Sequence, residues 1–231
     1  MRYLIKNFFN KNSFYSQSTY TEALNAMVRG EKSKSISLLK DVVKNDTNHI
    51  QAYLQLGNIL RDDNPEQALK IHQSLTVRPN LNSDMTVDIH KSLALDYDIL
   101  GDAKKSKHEI EKILIIEKRN IWALSSLIKI SESEKDWDQA AKLSKRLQKI
   151  TGKNNKENFA QFEVYKGLEN LDKGLFNEAK IFFQKAIKIA PEYSLSYKYL
   201  GNIYEQTRDL VSALKNWELF AIKDLKNSYT V

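Results

Sequence analysis

The sequence predicts an all-α fold made of repeated helical hairpins, and three observations carry that prediction. A segment of 34 residues comes twice, with Gly167 recurring at Gly201, Ala179 at Ala213 and the aromatic Phe183 as Trp217. Within one segment the small residues Gly167, Gly174, Ala179 and Ala186 stand 7, 5 and 7 apart with large apolar residues between them, which lets two helices touch. Glycine (7) and proline (3) are scarce and no long stretch alternates apolar and polar residues, so helix should exceed the roughly one third usual in globular chains.

These features make up the tetratricopeptide pattern, whose helix-turn-helix units stack into a right-handed superhelical solenoid. A solenoid grows by adding units rather than by enlarging one core, so the 231 residues read as one array. Laying the template back along the chain gives about six units, near residues 16–49, 50–86, 87–120, 121–158, 159–193 and 194–227, with a segment 1–15 before them and a tail 228–231. Unit one has Ala23 and Ser35 at its small positions and Gly30 in its turn; unit two carries Tyr53, Leu56, Gly57 and Ala68. The turn of unit two is one residue short, because Pro65 suits a first helical turn and pushes Asn64 out of helix. The following stretch RPNLNSD, residues 78–84, is expected as an exposed loop between hairpins. Unit three has Ala94, Tyr97, Gly101 and Ser106; unit four keeps the helical period through Trp122, Leu127, Ile130, Trp137, Ala140 and Leu147, with its alanine displaced by one. Residues 151–158 are expected to form a loop, units five and six are the closest copies, and the last helix is expected to fray after Lys223.

Composition removes most chemistry. With no cysteine there is no disulfide, thiol nucleophile or thiolate metal site. His49, His72, His90 and His108 do not form an HxxxH or HExxH spacing, and the nucleophile-elbow, P-loop and dinucleotide fingerprints are absent. The sequence therefore predicts a non-enzyme that needs no cofactor and no metal. The net charge of +7 favours anionic partners in general, although lysine is also simply a good, soluble helix former. Nucleic acid is disfavoured as a partner, since no exposed aromatics interleave with the lysines.

In residues 1–15 the bases Arg2, Lys6 and Lys11 meet no acid, and Leu4, Ile5, Phe8 and Phe9 fall on one helical face. The segment is too short and polar for a bilayer span of roughly 20 apolar residues. Two readings fit. It is an in-plane membrane contact through Arg2, Leu4, Ile5, Phe8, Phe9 and Lys11, or a helix that caps the array.

Partner binding in such arrays uses the surface lined by each unit's first helix, at about template positions 2, 5, 9, 12 and 13, whose side chains point away from the second helix. The register places Tyr20, Leu24 and Met27 of unit one there, then Leu54, Asn58 and Arg61, then Lys91, Leu95 and Asp98, and finally Lys198, Asn202 and Glu205. Asn58, Arg61, Lys91, Lys198 and Asn202 are the donors among them, suited to the backbone or carboxylates of a peptide. His72 is expected in a hydrogen-bonded structural role on a second helix, with Tyr97, Trp137 and Trp217 as core or seam residues. Lys142, Lys145, Arg146 and Lys149 form a basic stripe that reads as a solvated outer face.

One stretch is more specific than the repeat. Leu56, Gly57, Asn58, Arg61, Ala68, Leu69, Lys70, Ile71, His72, Gln73, Leu75, Arg78, Pro79 and Leu81 follow in order, and Asp96, Tyr97 and Gly101, then Asp136, Trp137, Ala140 and Leu147, continue the series. This order resembles the lipopolysaccharide assembly protein B family, membrane-tethered tetratricopeptide proteins of Gram-negative bacteria, over about residues 20–220. The resemblance implies an adaptor on the cytoplasmic face of the inner membrane. Its partners are the deacetylase that commits carbon to lipid A synthesis and a membrane-bound ATP-dependent protease. The family's membrane helix and four-cysteine metal domain are not in this sequence, which leaves a piece of a longer chain or a shorter relative as the two readings.

Overall fold

The computed structural model describes the backbone of residues 2–228 and the side chains of residues 15–225. Among these, twelve helices and no strand occur: α1 (Arg2–Val28), α2 (Lys32–Asn45), α3 (Ile50–Leu60), α4 (Pro65–Leu75), α5 (Ser83–Ile99), α6 (Ala103–Ile116), α7 (Ile121–Ser133), α8 (Trp137–Thr151), α9 (Lys156–Asp172), α10 (Phe176–Ile189), α11 (Ser194–Gln206) and α12 (Leu210–Ser228). Arg2, Leu4, Ile5, Phe8, Phe9 and Lys11, the expected membrane contacts, lie outside the described side chains. The helices fall into two compact units, residues 1–123 and 124–231.

In the first unit α1 packs on α2, α3 on α4 and α5 on α6, and each hairpin packs on the next. Ala23, Leu39, Val42, Ala52 and Leu56 form one buried cluster, and Leu54, Leu75, Ile89 and Leu93 another. In the second unit α9 pairs with α10 and α11 with α12, and Ala160, Val164, Phe183, Ala186, Leu200 and Ile203 form a buried cluster across α9, α10 and α11. Small residues let the paired helices approach. A Cβ added to Gly167 would overlap the ring of Phe183, and one added to Gly201 would overlap the indole of Trp217. Phe183 is fully buried there, a burial that contributes about 1.5–3 kcal/mol relative to exposure. In the first hairpin a smaller device serves, with Ser35 Oγ donating to the Ala23 carbonyl at 3.0 Å across the seam.

The turns between paired helices repeat one backbone geometry. Gly30, Gly101 and Gly174 have φ of 74, 75 and 72°, and the residue after each donates its N–H to a carbonyl five residues earlier: Glu31 to Ala26, Asp102 to Tyr97 and Leu175 to Asn170. This is the left-handed helix ending that glycine adopts without steric cost. Two turns make the same bond without glycine. Lys135 (φ 56°) precedes the Asp136 to Ser131 bond, and Arg208 (φ 62°) precedes the Asp209 to Tyr204 bond.

Helix starts explain where the observed boundaries depart from the sequence reading. Asn64, Asn82, Asp102, Asp136 and Asn155 each accept the N–H three residues on, at 2.8–3.2 Å, which satisfies one of the orphan donors of a helix start. Asn82 thus starts α5 at Ser83 rather than Val87, and Asn155 starts α9 at Lys156, so the loop expected over 151–158 shrinks to residues 152–155. The last helix continues through Ser228 instead of fraying after Lys223. Two bonds hold its end to the start of α11, Lys223 Nζ to Glu192 at 2.8 Å and Ser194 Oγ to Asp224 at 3.1 Å.

An ion cluster ties α5 to α6, where Glu109 accepts from His90 Nδ1 at 2.6 Å and from Lys112 Nζ at 2.8 Å. Burial pushes the Glu109 carboxyl up, but the bonds from His90 and Lys112 outweigh it and hold the carboxyl below its ordinary value of 4.5. Its contribution to stability is then fully present above 4.5 and is lost as pH falls through the lowered folded value. Acid titration of stability should show the effect directly: Glu109→Gln is expected to be less stable than the parent at neutral pH, with the gap closing at low pH. Arg208→Gly and Lys135→Gly are each expected to stabilise the chain by about 0.5–1 kcal/mol by removing left-handed strain, read as a higher urea midpoint at unchanged slope.

Candidate functional site

The first-helix residues of the second and third hairpins meet in one cleft of about 220 Å³ between α3 and α5. From α3 and its C-cap it is lined by Gln51, Leu54, Gln55, Asn58 and Arg61, and from α5 by Asp88, Lys91, Ser92 and Leu95. They share this wall because a helix repeats every 3.6 residues, which brings 51, 54, 55, 58 and 61 to one stripe. A second depression of about 370 Å³ shares Asn58 and adds Met27, Gly30, Lys32, Ile59 and Asp62. Together the two clefts follow the first helices of all three hairpins of this unit.

The floor of the cleft is a buried polar network. His72 stands 15 residues after Gly57, where the other hairpins place Phe183 on Gly167 and Trp217 on Gly201; a Cβ on Gly57 would overlap its imidazole. A histidine ring there has two nitrogens to satisfy. Nε2 donates to the Leu54 carbonyl at 3.2 Å, and Nδ1 is hydrogen-bonded to Asp96 Oδ2 at 2.5 Å. Both side chains are completely buried. The other oxygen of Asp96 accepts from Arg61 Nε at 2.6 Å, and Arg61 Nη2 donates to Asn58 Oδ1 at 2.6 Å and to the Ser92 carbonyl. Ser92 Oγ donates to the same Asn58 oxygen at 3.1 Å.

This network changes what the cleft can offer. Arg61, placed by the sequence reading among the free donors, balances the buried Asp96 carboxylate. The Asn58 oxygen is occupied twice, so the amide NH₂ is the part of Asn58 available to a ligand. Lys91 extends its ammonium over the Trp122 ring at 5.2 Å. The cleft therefore presents the amides of Gln51, Gln55 and Asn58, one cation (Lys91), one carboxylate (Asp88) and the apolar edges of Leu54 and Leu95. Such a surface suits the alternating N–H and C=O groups of a peptide better than a concentrated negative charge.

Of the residues selected from sequence, Leu54, Asn58, Arg61 and Lys91 come together here. Tyr20 instead packs on His49, ring centroids 4.6 Å apart, and burial pushes its hydroxyl pKa up. Asp98 is exposed beyond the cleft. In the other unit Lys198 lies over the Phe220 ring at 5.7 Å, and Asn202 accepts from Trp217 Nε1 at 3.2 Å. Lys142, Lys145, Arg146 and Lys149 are all exposed on α8. Sequence reasoning missed Gln51, Gln55, Asp88 and Ser92, which the same 3.6-residue spacing from Leu54 and Lys91 could have found. It also missed the pairing of Asp96 with His72 and Arg61. The available signal was an acid at the centre of an apolar run, Leu93-Ala94-Leu95-Asp96-Tyr97, which requires a buried donor. Among the described residues no group of three histidine or acidic side chains could hold a metal, and no helix is long and apolar enough to cross a membrane.

No family model matches the chain. Lipopolysaccharide assembly protein B of Escherichia coli strain K12 is 24% identical over 211 residues, covering 84% of this chain and 54% of that protein. The chain spans about half the length of the curated relatives it matches. Among solved structures, a tetratricopeptide repeat protein from Parabacteroides merdae superposes with a TM-score of 0.55 at 15% identity, covering 90% of this chain and 79% of the other. YrrB, described as a tetratricopeptide protein with an unusual peptide-binding site, gives 0.51 at 15% identity, covering 77% and 88%. The fold is thus the all-α tetratricopeptide fold, and the sequence is similar to lipopolysaccharide assembly protein B.

Breaking the network should be costly and repacking it much less so. Asp96→Ala strands Arg61 and His72 and is expected to cost about 3–5 kcal/mol in urea denaturation. The triple replacement Arg61→Met, His72→Phe, Asp96→Leu removes every charge of the network and restores an aromatic ring on the glycine, and it should retain more stability than Asp96→Ala; an equal or larger loss would show that the ion pair itself holds the hairpins together.

Proposed function

We propose that this tetratricopeptide protein is a non-enzymatic scaffold that holds a client polypeptide along the α3–α5 cleft. The observation that carries the reading is the amide-rich wall of Gln51, Gln55 and Asn58 beside Lys91, on the first-helix surface of consecutive hairpins. Amides can pair with both the donors and the acceptors of a peptide backbone, and hairpins held in register keep them spaced along it. The YrrB likeness contributes only the fold, and that protein's peptide site is its own.

The finer reading rests on the likeness to lipopolysaccharide assembly protein B. It makes the client an enzyme of lipid A synthesis, brought to a membrane-bound AAA protease at the cytoplasmic face of the inner membrane, so that the scaffold sets lipopolysaccharide output. Unchanged deacetylase and lipopolysaccharide levels after deletion of the gene would remove this client while leaving the scaffold reading intact.

The cleft itself is tested by crosslinking pull-down from the native cell. Lys91→Glu combined with Gln55→Arg is expected to remove the captured client with helical circular dichroism retained and only a small drop in the thermal melt, from the lost Lys91–Trp122 contact. Arg61 is unsuitable for charge reversal because Asp96 needs its cation. Full retention of the client by the double variant would place binding elsewhere.

A further inference from the structure

The excess positive charge of the chain is concentrated in one stretch. Residues 139–156 hold six of its 36 lysines and arginines and none of its 29 acids, so only one charge of the net +7 lies elsewhere. Lys142, Lys145, Arg146 and Lys149 stand at i, i+3, i+4 and i+7 on α8, a stripe about 10 Å long, and all four are exposed. Lys153 and Lys156, also exposed, follow beyond Gly152, which ends the helix at a φ of 71°. The bond from Gln148 Nε2 to Asn154 Oδ1, at 2.8 Å, fastens that loop back on α8. The acid one turn earlier on the same stripe, Asp138, is already held by Lys166 of α9 at 2.5 Å. Arg146 has an interaction of its own within the chain, whereas the ammonium groups of the five lysines bond no described residue. Like charges at this spacing repel one another. The backbone dipole favours a cation in the last turn of a helix, which accounts for Lys149 but not for Lys142, more than two turns before Thr151.

We infer that this stripe docks an acidic stretch of polypeptide, rich in aspartate and glutamate. Its charge sets the sign of the partner, and its side-chain types select among the anionic classes. Five of the six cations are lysines, which are compact point charges, whereas phosphate recognition favours the planar fork of arginine. Leu143 is buried and Leu147 and Ile150 are half-buried, so no large apolar side chain projects from the stretch to enter a bilayer. Nor does the stretch contain an aromatic ring on which a base could stack. An acidic helix, by contrast, can carry carboxylates at the same i, i+3, i+4, i+7 spacing and meet the bases of α8 in register. Such a partner relieves the repulsion that the free chain leaves unanswered. The inference does not rest on the client reading, because the stripe shares no residue with the α3–α5 cleft.

Two variants of equal net charge separate a docking site from general attraction. One replaces Lys142, Lys145, Lys149 and Lys153 by glutamine; the other replaces Lys40, Lys44, Lys70 and Lys104, exposed lysines of the first unit. Glutamine is as good a helix former as lysine, so both variants are expected to keep the parental helical circular dichroism. Fluorescence anisotropy with a labelled oligoglutamate peptide is expected to show binding to the full parent chain at physiological ionic strength, weakening as salt is added. The stripe variant should bind at least about tenfold more weakly than the parent, and the control variant as the parent does. Equal losses in the two variants overturn the inference, as does a parent chain that does not bind the peptide. Capture of the parent by phosphatidylglycerol vesicles or duplex DNA that survives an excess of the peptide, and is lost in the stripe variant, overturns the assignment to a polypeptide.

Discussion

Three of the hairpins depend on one contact, a ring seated on a helix position that has no side chain. Gly167 under Phe183 and Gly201 under Trp217 let paired helices approach until the ring fills the space between their backbones. A methyl group at either glycine would collide with the ring, so the small residue and the large one are a single specification. Their 16-residue separation sets the phase of the hairpin, and the completely buried alanines Ala68, Ala179 and Ala213 extend the same close packing.

The second hairpin meets this constraint with an unusual ring, and the result spreads beyond the seam. A phenyl ring on Gly57 needs only apolar neighbours. The imidazole of His72 needs two polar ones, and it takes the Leu54 carbonyl and the Asp96 carboxylate. A buried carboxylate needs a cation, which Arg61 supplies, and Arg61 in turn fixes the Asn58 amide. One exchange at the seam thus sets the chemistry of the cleft wall. It removes a cation from the binding surface and orients an amide there. It also links the second and third hairpins through fixed polar bonds in addition to apolar contact, which gives the first unit a defined register where the cleft lies.

The sequence shows the hairpins because their signal is periodic. The recurrence of Gly167 at Gly201 and of Phe183 at Trp217 states the small-on-large contact in plain text. The ends of helices are less legible. Asn82 and Asn155 read as breakers in an asparagine-rich stretch, yet each is the cap that starts a helix, and the two readings differ only in whether the side-chain oxygen finds a backbone N–H. The length of α12 past Lys223 has the same origin, since the bond from Lys223 to Glu192 joins residues 31 apart that no local pattern connects. For the cleft, helical spacing finds the wall but not its charge. Arg61 and Asp96 are 35 residues apart on different hairpins, so a first-helix arginine reads as free until the fold brings the acid beneath it.

The balance of charge then bears on what kind of client the cleft can hold. The chain carries +7 overall, yet within the cleft Arg61 is neutralised by Asp96, and the one further cation, Lys91, shares the wall with one carboxylate, Asp88. A surface of this kind draws little affinity from a client's net charge. Its hydrogen-bonding groups are amides, which address features that every polypeptide has, while Leu54 and Leu95 address an apolar side chain at one point. Recognition of one client among many must then come from the spacing of these groups along the groove. Spacing is what the fixed contacts beneath it supply, since the ring of His72 on Gly57 and the bond from Arg61 to Asp96 hold α3 and α5 at a set distance. The polar network under the cleft is thus a positioning device for a binding surface whose own groups are nearly generic.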